Sequence, residues 1–156
     1  MELYLKQRVF TWGDKFDVYD SAGNVRYYVW GDVFTWGKKL HICDTRENEL
    51  YFIKQRLFTF LPKYELYRGD RLITEVKKEF TFFICEYTVD SLGWRVTGDF
   101  FDHEYEITNG SRTIATVSKQ WFTWGDTYEI SIAEGENELD VLAVILTVDA
   151  TCHAEN

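Results

Sequence analysis

A short aromatic motif returns six times along this chain of 156 residues, and a repeat at that spacing restricts the fold more than any other feature of the sequence. In full it reads Lys6-Gln7-Arg8-Val9-Phe10-Thr11-Trp12. It comes back as Val33-Phe34-Thr35-Trp36, Lys54-Gln55-Arg56-Leu57-Phe58-Thr59-Phe60, Lys78-Glu79-Phe80-Thr81-Phe82 and Lys119-Gln120-Trp121-Phe122-Thr123-Trp124, with a weaker copy at Gly98-Asp99-Phe100-Phe101. The anchors Phe10, Phe34, Phe58, Phe80, Phe100 and Phe122 lie 24, 24, 22, 20 and 22 residues apart. Between anchors the chain alternates with period 2, as in Lys15-Phe16-Asp17-Val18-Tyr19-Asp20 and His103-Glu104-Tyr105-Glu106-Ile107-Thr108, the pattern of a strand with one buried face. Turn-forming clusters divide each interval: Asp20 to Asn24, Asp44 to Asn48, Arg68-Gly69-Asp70, Asp90 to Gly93 and Asn109-Gly110-Ser111. Each unit is thus two strands and a hairpin, with the Phe-Thr-Trp segments as corners. Six units give about twelve antiparallel strands over residues 2–133.

The period stops after Ile132. Residues 137–150 then read as a helix, with Asn137 as N-cap, Glu138 and Asp140 in the first turn, and an apolar run from Leu139 to Leu146 broken by Asp140. A helix apolar on every side must be buried on every side. About eight strands already make a barrel just filled by its own side chains, so a barrel of about twelve needs a plug. The expectation is one all-β domain over residues 1–156, a closed barrel around a central hydrophobic helix.

These corners, the hairpin count and the segment Asp140 to Asp149 resemble the LURP-one-related family over essentially the whole chain. That resemblance implies the tubby C-terminal-like fold shared with phospholipid scramblases: twelve strands wrapped around one hydrophobic C-terminal helix. It also implies a lipid connection, since members of the wider group bind membrane phosphoinositides or are proposed to move lipids. Fold likeness alone does not carry activity.

Composition narrows the function classes. Aromatic residues make up 18% of the chain and the net charge is −9, which argues against a nucleic-acid partner. The apolar run Leu139 to Val148 falls well short of the roughly 20 residues that span a bilayer, so a transmembrane protein is not expected. Cys43, Cys85 and Cys152 are widely spaced and odd in number, which reads as reduced thiols in a cytoplasmic protein. No cofactor, metal or catalytic residue is expected. His41, His103 and His153 are scattered; Cys152-His153 reads as a loose terminus, and His103 between Asp102 and Glu104 as part of a solvated strand. The Trp-Gly-Asp corners at Trp12, Trp30 and Trp124 could stack sugars, but recurrence in the units favours corner packing.

One stretch has a mechanism behind it. Residues 54–78 carry seven basic groups against three acidic ones, whereas residues 99–149 carry two basic against eleven acidic. Lys54, Arg56, Lys63, Lys77 and Lys78 would converge near one barrel end if their strands are neighbours, as a phosphorylated ligand or anionic lipid headgroup requires. The ranking is a non-enzymatic binding module first, then a protein-interaction scaffold using an open strand edge, then an enzyme with its site in the barrel mouth.

Overall fold

The fold is taken from a computed structural model that describes residues 1–8, 13–81, 84–120 and 127–154. Twelve strands precede one helix: β1 (Glu2–Gln7), β2 (Lys15–Asp20), β3 (Val25–Gly31), β4 (Lys39–Cys43), β5 (Glu49–Gln55), β6 (Lys63–Arg68), β7 (Arg71–Thr81), β8 (Ile84–Val89), β9 (Trp94–Asp99), β10 (Glu104–Asn109), β11 (Arg112–Gln120), β12 (Thr127–Ile132) and α1 (Glu138–Ala154). Each strand pairs antiparallel with its neighbours in sequence, and β1 pairs with β12, from Glu2 opposite Ser131 to Lys6 opposite Thr127, to close the barrel. That closure corrects the open-edge expectation: among the described residues the sheet offers no free strand edge to a partner.

Alternation builds the core. Leu3 and Leu5, Phe16 and Val18, Tyr51 and Ile53, Tyr64 and Leu66 all turn inward and are buried, while the residues between them face out. Helix α1 fills the interior, its residues from Val141 to Leu146 buried on every side. A helix is about 10–12 Å across with its side chains, which is the space that a twelve-strand barrel has left over. Asn137 caps it as expected, its Oδ1 accepting from the amides of Leu139 at 3.0 Å and Asp140 at 3.2 Å.

Inward tyrosines fix the helix axially. At its N-terminal end the Tyr51 hydroxyl donates to Asp140 at 2.7 Å and Tyr27 donates to Glu138, while Arg26 and Arg68 reach the same two carboxylates from the rim at 2.5 and 3.1 Å. Toward the other end the Tyr87 hydroxyl meets the Cys152 sulfur at 3.8 Å. Burial pushes Tyr64 up to about 12. The helix runs past residue 150 and keeps Cys152 buried, which corrects the reading of a loose terminus. The physical reason is depth: seventeen helical residues span about 25 Å, enough to run the length of the barrel.

An up-and-down barrel places alternate connections at opposite ends. The five tight hairpin turns lie at the end where α1 begins, and the connections that follow β1, β3, β5, β7, β9 and β11 lie at the other. Residues 9–12, 82–83 and 121–126, with Phe10, Trp12, Phe82, Phe122 and Trp124 of the motif, are outside the described residues.

Candidate functional site

The corner end differs from the rest of the surface in two respects, and the first is its lysines. All nine lysines of the chain, Lys6, Lys15, Lys38, Lys39, Lys54, Lys63, Lys77, Lys78 and Lys119, sit on strand ends or loops beside a corner. The hairpin end holds only arginines, among them Arg26 and Arg68 already tied to the helix, and Arg112 paired with Glu136 at 2.7 Å. The lysines of a chain of net charge −9 are therefore gathered at one end, among carboxylates such as Asp14, Asp32, Glu79, Asp99 and Asp102.

The second respect is exposed apolar surface. Phe34 is 93% exposed, Trp36 86%, and Phe58 and Phe60 fully so, with Phe80, Ile84 and Phe101 also open to solvent. Of the tryptophans expected to pack corners, Trp30 is the one described, and it stacks on His41 while staying partly exposed. Corners do nest laterally, but through smaller groups: a Cβ added at Gly37 would lie 2.8 Å from Leu57, and one at Gly13 would lie 2.9 Å from Val33. Glycine is what lets one corner settle against the next. The aromatic rings are left projecting. Phe100 is the exception, buried edge-on against Tyr87 at 4.9 Å.

Phe34 and Phe58 hold equivalent places in consecutive corners, and both take the left-handed backbone, with φ of 59° and 61°. A bulky residue rarely adopts that region. Two residues that are strained and unburied contribute little to folding.

The predicted basic residues divide between two clefts among these corners. One, of about 430 Å³, is lined by Trp36, Lys39, Lys54, Gln55, Arg56, Leu57 and Glu65. The other, of about 230 Å³, is lined by Phe60, Pro62, Lys63, Lys77, Lys78 and Glu79 among others. Strand register makes like charges face each other in both: Lys39 lies opposite Lys54 across β4 and β5, and Lys63 opposite Lys77 across β6 and β7. Directly opposed like charges destabilise a sheet by a few tenths of a kcal/mol to about 1 kcal/mol. Carboxylates relieve only part of this. Lys63 reaches Glu75 at 2.9 Å, Lys77 reaches Asp90 at 2.7 Å, and Arg56 lies 3.5 Å from Glu65 and 3.4 Å from Glu75. Among the described residues no carboxylate lies within 4 Å of the Lys39 or Lys54 ammonium, although Glu65 stands opposite Lys54 across β5 and β6. Lys78 belongs to the inward row opposite Tyr87, so it meets the second cleft from the barrel rim.

Sequence reasoning missed Lys39, Trp36 and Phe60. Lys39 lies outside the basic window of residues 54–78 and joins it only through register. The aromatics were in view as a motif, but their direction was not.

The remaining candidates behave otherwise. His41 stacks on Trp30 with centroids 4.0 Å apart, and its two ring nitrogens meet Asp32 at 2.9 Å and Glu49 at 2.5 Å, so neither is left to take a proton from a substrate. His103 lies in a corner rather than on a strand, at φ 54°, stacked on Tyr128 with centroids 4.1 Å apart. Among the described residues no cluster of His, Cys, Asp and Glu is placed to hold a metal ion, and no helix is long and apolar enough to cross a membrane.

Comparison with known proteins agrees with this architecture. A family model described as LURP-one-related matches residues 1–149. The uncharacterised protein YxjI of Bacillus subtilis strain 168 is 34% identical over 149 residues, covering 96% of this chain and 92% of the relative. An X-ray structure of an Arabidopsis thaliana protein superposes with a TM-score of 0.65 at 14% identity, over 96% of this chain and 91% of that one, a likeness of fold.

Proposed function

This chain belongs to the LURP-one-related family, and we propose that it serves there as a non-enzymatic binding module for a phosphorylated anion, with the cytoplasm as its setting. The observation that carries this reading is the pair of cross-strand lysine couples, Lys39 with Lys54 and Lys63 with Lys77, each in a cleft. Like charges held side by side cost stability until an anion sits between them. A phosphate group has the oxygens for it, and lysines follow it as mobile point charges while Arg56 supplies a fork.

The ion pairs already present are weak competitors. Exposed pairs such as Arg56 with Glu65 contribute about 0–1 kcal/mol each, so a multiply charged phosphate can displace them. Lys54, Arg56, Lys63, Lys77 and Lys78 are the proposed ligand residues, with Lys39 added to them.

Two sources supply this chemistry, a membrane headgroup and a free phosphorylated molecule. The test uses phosphatidylcholine vesicles with and without phosphatidylserine in co-sedimentation, and inositol hexakisphosphate in titration calorimetry. Binding to either that weakens with salt and is lost in Lys54→Glu/Lys77→Glu supports the reading. Absence of binding to both, or binding that ignores salt and the double substitution, overturns it.

A further inference from the structure

We infer that the corner end is a membrane-docking crown: the barrel stands end-on against an anionic bilayer, with the Phe and Trp tips in the interfacial layer and the lysines against the lipid phosphates. This rests on the anion-binding reading above and goes further by naming the bilayer as the source of the anion and the aromatics as the anchor.

The exposed apolar area is the first support. Phe34, Trp36, Phe58, Phe60, Phe80 and Phe101 project from four corners at one end of the molecule. An aromatic side chain has about 150–250 Å² to bury, so together they offer on the order of 800 Å² or more of apolar surface. Their placement cannot be charged to packing. Phe34 and Phe58 also hold a backbone conformation that opposes a bulky side chain, the combination expected where a site is maintained against stability.

The order of chemistry along the axis identifies the occupant. Aromatics are outermost and lysines lie one step behind them on the strand ends, the same sequence as hydrocarbon boundary and phosphate plane at a membrane surface. Eight of the nine lysines lie on or beside β1, β2 and β4 to β7, the side of the barrel that also carries Phe34, Trp36, Phe58, Phe60 and Phe80. Lysine stems are long enough to follow headgroups while their tips stay hydrated.

The test compares Phe58→Ser/Phe60→Ser with the unmodified chain and with Lys54→Glu/Lys77→Glu. Both altered aromatics are fully exposed, so the barrel should remain folded, checked by its thermal transition. On vesicles containing phosphatidylserine the unmodified chain should stay partly bound at about 0.5 M salt, where exposed charges are largely screened. Its tryptophan fluorescence should be quenched by lipids brominated near the headgroup end of the acyl chain. Removing two rings should lower vesicle partitioning by about ten-fold or more, since burying a single Phe is worth that much, while inositol hexakisphosphate binding is unchanged. The lysine variant should lose both. Equal vesicle binding by Phe58→Ser/Phe60→Ser overturns the crown and leaves the anion reading intact; failure of the unmodified chain with vesicles and polyphosphate alike overturns both. A concentration-dependent dimer that the aromatic substitutions dissociate, in a chain that does not bind vesicles, assigns the crown to a second copy and overturns the proposal.

Discussion

Replacing Phe58 with glycine should make the barrel more stable, although Phe58 belongs to the most recurrent motif of the chain. The side chain is fully exposed, so its removal forfeits no buried area. Its φ of 61° is costly: an L-residue in the left-handed region pays about 1–2 kcal/mol, which glycine does not. Against this, glycine enlarges the unfolded ensemble by about 0.5–1 kcal/mol. The net gain is about 0.5–1 kcal/mol, and for a domain of this size about 1 kcal/mol moves Tm by roughly 2–4 °C. Phe60 supplies the control. It is equally exposed and is not among the residues with positive φ, so Phe60→Gly has only the entropic term and should lower stability by a similar amount. Urea titration and calorimetry of the two variants should move in opposite directions at unchanged m, while vesicle binding falls in both. A Phe58→Gly protein that melts lower, in step with Phe60→Gly, would refute the view that this ring is held at the expense of stability.

The core makes further outcomes predictable. Leu142 is fully buried on α1, so Leu142→Asp places an unpaired charge where a leucine filled the barrel; the sum of lost packing and desolvation, of order 5 kcal/mol or more, should abolish cooperative unfolding in circular dichroism, and a variant with the original Tm would mean that the helix lies outside. Tyr51→Phe removes the 2.7 Å bond to Asp140 and should cost about 1.5–3 kcal/mol in chemical denaturation, since the acceptor is charged; no loss would show that Arg68 alone holds Asp140. In the hairpin turns the Asn24 amide donates to Asp20 and the Asn48 side chain and amide to Asp44, holding both carboxyls below the usual carboxylate range. Their folded pKa values being lowered, the stability they add is present above the ordinary value of about 3.9 and is lost as pH falls through the lower folded value. Asp20→Asn/Asp44→Asn should therefore flatten the acid limb of stability against pH, and an unchanged slope would dismiss these two groups.

Much of the architecture was legible because it rests on local patterns. Period-2 alternation marks strands from Phe16 or Tyr105 outward, Asp-to-Asn turns mark hairpins at 20–24 and 44–48, and Asn137 with an all-apolar run marks a buried helix start. Of the basic window at residues 54–78, visible as charge, Lys54, Arg56, Lys63, Lys77 and Lys78 lie at the corner end, whereas Arg68 and Arg71 flank a hairpin turn. What stayed hidden depends on groups distant in the chain. Lys39 faces Lys54 only because β4 and β5 pair in one register, and Cys152 is buried only because the barrel is as deep as the helix is long. The corner motif is the plainest case. Its anchors recur every twenty to twenty-four residues, a spacing readable in the chain alone. Whether rings such as Phe34, Trp36, Phe58 and Phe60 fold onto the barrel or stand away from it was decided by the tertiary structure. With the interior already filled by α1 and the corners nested through Gly13 and Gly37, these rings are left facing outward.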